Sequence, residues 1–171
     1  PGTKAGVEFI WGELTAAQQA ALNKDNAGVD DSLGEKRLAY VRGDQSDESP
    51  APTGFRARSS LLGDIINSDP IYVGVANYGF DDLPGSEGTS YKSYRKSETY
   101  KSRTTMVYVA ANDGMLHGFE VETGEELLAY LPNAAIPELT YLTDEDFNGS
   151  HRLINDGSPW VVDAYLGGAW K

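Results

Sequence analysis

Apolar residues in this chain gather in short runs, and the densest group lies between Met106 and Pro132, MVYVAANDGMLHGFEVETGEELLAYLP. Asn112-Asp113-Gly114 and the four residues from Glu122 to Glu125 interrupt it, each with a glycine that can supply the positive φ of a tight turn. The pattern predicts an antiparallel meander with strands at Met106–Ala111, Met115–Val121 and Glu126–Leu131. In the first strand Val107 and Val109 share one face while Met106, Tyr108 and Ala110 share the other. In the second, Leu116 and Gly118 oppose Met115, Phe119 and Val121. Neither face is polar. A sheet with one wet side alternates apolar and polar residues, so this one predicts cover on both sides, as in stacked sheets.

The flanking pattern is weaker. Thr15 with Gln18 three residues on has capping-box spacing, which predicts a short helix over Thr15–Asn23. Ser32 and Glu35 repeat the spacing ahead of KRLAYVRG, where Leu38 and Val41 share a face and Gly43 can close the helix in the left-handed conformation. The acidic, proline-rich stretch between Gly43 and Gly54 predicts a loop or mobile linker. Beyond it, Pro70 introduces a strand over Ile71–Asn77. Tyr78 to Lys101, rich in Gly, Ser, Tyr and Lys, reads as a long loop, and Trp160 to Leu166 as the start of another strand.

Composition narrows the class. At 171 residues, 40% hydrophobic and 11% aromatic, the chain can build a real core and reads as one domain or a piece of one. No run of about 18 apolar residues is present, so no membrane span is expected. The first residue is Pro1 and the last strand-like run stops near Lys171, which suggests a processed product or a fragment. There is no cysteine, hence no disulfide or thiolate metal site, and the compartment stays open. A net charge of −12 argues against nucleic acid and anionic lipid as partners. The local exception is YKSYRKSETYKSR, where Lys92, Arg95, Lys96, Lys101 and Arg103 face Glu98 alone, interleaved with tyrosines. It reads as a solvated loop or a surface for a charged partner.

Three motifs carry candidate chemistry. Arg42-Gly43-Asp44 is the integrin-recognition tripeptide, and at a predicted helix end each residue also has a local reason to be there. Asp144, Asp146 and Asn148, followed by Gly149, copy the first half of a calcium loop. The twelfth position is Asn155 rather than a bidentate Glu, so an Asp/Asn-rich turn is the alternative. His117 and His151 stand far apart with no nucleophile signature beside either, and a lone histidine on a strand is usually a packed or exposed side chain.

The segment VYVAANDGMLHGFEVETGEELLAYLP resembles the blade repeat of quinoprotein-like propellers: strand, x-Asp-Gly turn, strand, Thr-Gly turn, strand. Taken in order, RLAYVRGD, FRARSSLLGDIINSDPIYVG, the Met106–Leu139 stretch and LTDEDFNGSHRLINDGSPWVVDAYLGGAW resemble the C-terminal β-propeller domain of the PilY/PilC-type type IV pilus biogenesis factors, the pilus-tip adhesins. The resemblance covers about Arg37 to Trp170. It implies a mainly β fold: a partial propeller with two short N-terminal helices, residues 1–54 as a helical and linker lead-in, and residues 55–171 as the first part of the propeller. One complete blade is expected over about 104–132, with parts of its neighbours.

It also implies a non-enzymatic protein of pilus assembly and of surface or host-cell adhesion. Such a protein is secreted through the periplasm to the pilus tip or outer-membrane surface, with pilus subunits, a host receptor, and the rest of the propeller or another chain as partners. No cofactor is expected here, the family's calcium loop lying past Lys171. The remaining cover for Val107, Val109, Leu116 and Phe119 is expected from outside the chain. Two alternatives stand: a periplasmic quinoprotein (PQQ-type) dehydrogenase fragment and an outer-membrane assembly scaffold. Against the enzyme, the blade-tying Trp after the Thr-Gly turn is replaced by Glu126-Leu127-Leu128-Ala129-Tyr130, and vicinal cysteines are absent.

Overall fold

The computed structural model describes residues 6–149 and 151–171. Helix α1 (Ala16–Leu22) begins as the spacing predicts: the Thr15 hydroxyl accepts from the Gln18 amide at 3.3 Å, and the Gln18 side chain accepts from the Thr15 amide at 2.8 Å. Helix α2 (Gly34–Val41) does not start on a capping box. Ser32 sits in the left-handed region at φ 58° and Leu33 is the N-cap. The open amides find other acceptors: Leu33 donates to Asp31 Oδ1 at 3.0 Å and Gly34 to Asn23 Oδ1 at 2.9 Å. Asn23 also ends α1, so one side chain joins the two helices. A β-carbon on Gly34 would lie 2.5 Å from Asn23 Oδ1 and 2.7 Å from the Trp11 ring, so the junction requires glycine.

These helices pack on a 3₁₀ segment, Asn133–Thr143, that follows the sheet. Leu14, Leu22, Leu38, Tyr40 and Phe55 form one core with Ile136, Leu139, Leu142 and Phe147, a core that crosses residue 54. Buried Arg37 donates to the Leu22 carbonyl, Asp31 and Thr143, and the Tyr40 hydroxyl donates to the carbonyls of Leu142 and Arg56. The stretch between Gly43 and Gly54 is an irregular loop, the first of the two expected readings, and it is held in place rather than loose. Glu48 is buried and paired with Arg58 at 2.7 Å, and the Ser49 amide donates to the Phe55 carbonyl at 2.7 Å. Its acidic residues have partners, Lys36 for Asp47 and Arg58 for Glu48, that lie outside the stretch itself.

The sheet is an antiparallel meander of four strands in chain order: β1 (Ile71–Val73), β2 (Met106–Ala110), β3 (Leu116–Glu120) and β4 (Glu126–Tyr130). β1 is shorter than the predicted Ile71–Asn77 because the chain turns away after Val73, and both backbone groups of Ala76 bond to the Tyr100 hydroxyl instead of to a strand. The predicted loop from Tyr78 to Lys101 is largely helical, as α3 (Ser86–Lys96) and α4 (Glu98–Lys101). Its tyrosines account for this. Tyr91 and Tyr100 are fully buried, the Tyr91 hydroxyl donating to Asp163 at 2.7 Å. Trp170 of a two-strand hairpin, β5 (Tyr165–Leu166) and β6 (Ala169–Trp170), packs against Tyr91 and Phe80. The predicted Trp160–Leu166 strand is thus reduced to two residues. Helix, at 28% of residues, exceeds strand at 16%, so "mainly β" is corrected to an antiparallel sheet with substantial helix.

Strand register stacks Tyr108 over Gly118, with Leu128 on the far side, and a bulge separates Gly118 from Phe119 in the pairing with β4. Met106, Val109, Ala110 and His117 are buried, while Val107, Leu116 and Phe119 are half-buried. Part of the cover comes from this chain, on the face that carries Met115 and Phe119, and the half-buried residues keep area open to the further cover expected from outside it. Glu8, Phe9, Val41, Arg42, Gly43, Leu61 and Leu62 line a groove opposite Met115, Phe119 and Ala129. The open part is β4, exposed along its whole length, with Leu127 at 52%, Leu128 at 41% and Tyr130 at 53%.

A β-carbon at position 118 would meet the Tyr108 ring at 2.7 Å and Leu128 Cβ at 3.2 Å. Gly118→Val is expected to destabilise the chain by about 1–3 kcal/mol through overpacking. The measurement is urea unfolding, with a lowered midpoint at unchanged slope.

Candidate functional site

The Asn112-Asp113-Gly114 turn between β2 and β3 is more than a hairpin turn. Buried Asn112 donates through Nδ2 to Asp64 at 2.9 Å, accepts at Oδ1 from the Ile154 amide at 3.1 Å, and donates its own amide to the Asp64 carbonyl at 3.0 Å. Asp113, also buried, accepts from the amides of Gly63 at 2.9 Å and Met115 at 3.0 Å. Gly114, at φ 93°, leaves room for Leu139 of the core. Two distant loops, one before β1 and one after the 3₁₀ segment, are therefore fastened to a single turn.

Beside this turn is a cavity of about 490 Å³ whose lining includes Arg56, Arg58, Asp64, Asn112, Phe147 and His151. The Arg56 guanidinium lies 4.0 Å over the Phe147 ring and that of Arg58 3.5 Å over Tyr40. His151 Nε2 lies 3.1 Å from Asp64. Burial alone would raise the Asp64 pKa, but hydrogen bonds from Asn112 and His151 outweigh it and hold the carboxyl below its ordinary value.

The second opening is the groove on the β3–β4 face, about 710 Å³, with His117 in its wall. His117 Nδ1 lies 2.5 Å from Glu126 Oε1, and Nε2 lies 3.0 Å from Asp113 Oδ2. Both ring nitrogens are engaged by carboxylates, an arrangement that leaves neither facing a substrate. Among the described residues no Ser or Thr hydroxyl bonds to either histidine, and no group of three His, Asp or Glu is placed to hold a metal ion.

The other sequence candidates are spread apart. Arg42-Gly43-Asp44 closes α2: the Gly43 amide donates to Tyr40 and the Asp44 amide to Ala39, a Schellman motif with Gly43 at φ 104°. Arg42 also donates to the Phe9 carbonyl at 2.8 Å, while both charged residues stay exposed. In the half calcium loop, Asp144 accepts from the Asn26 side chain and from the Asp146 amide, and Asn148 lines the 490 Å³ cavity. Ser150, just beyond, lies outside the described residues. Of the basic stretch, Arg95 pairs with Asp81 and Arg103 with Asp163, leaving Lys92 and Lys96 exposed on α3. Sequence reasoning missed Asp64, Asn112 and Asp163 as organising residues. A polar residue inside an Asn-Asp-Gly turn flanked by apolar runs was the available signal for Asn112.

An antiparallel meander packed with helices, whose last strand is exposed along its length, is the class of fold from which β-propellers are assembled. The family described as "PilY1 beta-propeller domain" matches residues 62–171, and the chain belongs to that family. Among curated proteins it is 44% identical over 173 residues to the type IV pilus biogenesis factor PilY1 of Pseudomonas aeruginosa strain PAK, covering 99% of this chain. It is 38% identical over 135 residues, 78% of this chain, to a PilY1 homolog of Xylella fastidiosa strain Temecula1. The chain spans only 14% and 11% of the lengths of those two relatives. No solved structure matches it.

Replacing Asn112 with Ala leaves the Ile154 amide and the Asp64 carboxylate without their shared partner. The expected cost is about 1–3 kcal/mol. Amide exchange should locate the loss of protection at Ile154 and around Asp64 while the β2–β3 ladder keeps its own.

Proposed function

We propose that this chain is a section of a β-propeller that serves type IV pilus biogenesis by binding and assembly rather than by catalysis. The observation that carries the reading is the 44% identity that runs through 99% of the chain to a protein named as a type IV pilus biogenesis factor. The four-stranded meander supports it as one complete blade, β1 to β4, with α3 and α4 inserted between its first two strands. In this reading the exposed Leu127, Leu128 and Tyr130 of β4 are covered by the next blade or by another chain, and the described residues 6–54 belong to a lead-in whose Phe9 and Val41 form the opposite wall of the groove. The protein acts outside the cell, on the pilus or the bacterial surface, with pilus subunits among its partners. Among the described residues no helix is long and apolar enough to cross a membrane.

Adhesion is the second part of the proposal, through Arg42-Gly43-Asp44 at the exposed end of α2. The Schellman geometry uses backbone groups only, so Asp44→Glu preserves the helix end while displacing the carboxylate. Integrin capture by the wild-type chain and its loss in Asp44→Glu, at unchanged circular dichroism, is the expected result; equal capture by both removes the adhesive role.

The assembly role is tested by exchanging this chain for the corresponding segment of Pseudomonas aeruginosa PilY1 and counting surface pili. Restored piliation is expected, and a chimera that is secreted and stable but leaves cells without pili would overturn the reading.

A further inference from the structure

His117, 4% exposed, occupies the middle of β3 and touches both the turn that precedes this strand and the strand that follows it. Nδ1 meets only Glu126, and Nε2 meets the two oxygens of Asp113 at 3.0 and 3.1 Å. A neutral imidazole carries one N–H and one lone pair. In that form one of the two contacts would set a lone pair against a carboxylate oxygen. Both contacts are attractive only in the imidazolium, where both nitrogens donate. The other charged residues lining the groove are Glu8 and Arg42 on the opposite wall, and the Arg42 guanidinium donates to the Phe9 carbonyl. The Phe119 ring stacks on the imidazole with centroids 6.0 Å apart, and the cross-strand neighbours of His117, Val109 on β2 and Ala129 on β4, carry no ionisable group.

Glu126 is the first residue of β4, and it pairs with Phe119 where the β3–β4 register shifts. The His117–Glu126 contact therefore crosses the ladder at its irregular point, where backbone pairing alone holds the strand least well. We propose that His117 is a proton-operated clamp: charged, it ties the Asp113 turn to the start of β4, and on losing its proton it releases Glu126 and loosens that end of the open edge strand. Burial would lower the His117 pKa, but its bonds to Asp113 and Glu126 outweigh burial and raise it above the ordinary histidine value. The sign follows. A group with a raised folded-state pKa lends its full stabilisation below the unfolded value and loses it as pH rises through the folded one. The clamp is closed in mildly acidic solution and opens on the alkaline side of ordinary histidine titration. What it controls is the order of the strand that carries Leu127, Leu128 and Tyr130.

The test uses the full chain. Nitrogen-15 spectra at pH 6 should show both His117 ring nitrogens protonated, with a titration midpoint above that of the same residue in the urea-unfolded chain. Across that midpoint, protection factors at Leu127–Tyr130, corrected for intrinsic exchange, should fall about tenfold, the size of one charge-assisted hydrogen bond. Those of the Tyr72–Val107 pair should hold. Glu126→Gln, at a side chain 44% exposed, should fold, lower the His117 midpoint and abolish the step at β4. A single protonated nitrogen at pH 6, or β4 protection that stays flat while His117 titrates, overturns the clamp.

Discussion

A buried amide side chain is tolerated only when its donor and acceptor atoms both find partners, and the architecture around the sheet is arranged to meet that demand at Asn112. Its two polar atoms are satisfied by residues 48 positions earlier and 42 later, Asp64 and Ile154. Neither segment has regular secondary structure, so their positions over the end of the sheet depend on this turn. Asp113 extends the effect, fixing Gly63 on one side and His117 on the other. The β2–β3 turn is thus the point where loop, strand and core are brought into register, with Gly114 against Leu139 completing the contact.

A second layer of order comes from ion pairs that are partly or wholly removed from water. Glu48 with Arg58, Asp31 with Arg37 and Asp163 with Arg103 each join segments that the apolar pattern leaves unconnected, and each guanidinium also bonds to further acceptors or stacks on a ring. Pairs of this kind add specificity of arrangement more than net stability, because desolvation offsets much of the attraction. Tyr91 makes the same point: burial and its bond to Asp163 push the phenol far above its ordinary value, so it serves as a fixed donor.

What was legible in the sequence was what local chemistry decides. Thr15 with Gln18 set the start of α1, Gly43 ended α2, and the glycines at 114 and 124 placed the strand boundaries to within about a residue. What was not legible depends on partners remote in the chain. Ser32 had the right spacing for a cap but lost the role because Asn23 and Asp31 already served the amides of Gly34 and Leu33. The tyrosines of α3 looked like surface residues because their ceiling, Asp163 and Trp170, lies more than 60 residues further on. The two-faced apolar character of the meander was readable, yet Phe9, Val41 and Leu61, which form the opposite wall of the groove over one face, are connected to it by no periodicity. Of the site residues, His117 was noted for its type alone; its significance lies in the two carboxylates it meets.

The helical excursion between β1 and β2 has a consequence for how the family can vary. These strands pair side by side, Ile71 with Tyr108 and Val73 with Met106, while the chain between them packs on itself and on the C-terminal hairpin through Tyr91, Asp163 and Trp170. Since the entropy of closing a loop grows only with the logarithm of its length, residues can be added at the exposed positions of this joint at small thermodynamic cost, provided that buried Tyr91 and Tyr100 keep their partners. The joint is where the molecule has latitude to remodel its outline without renegotiating the sheet.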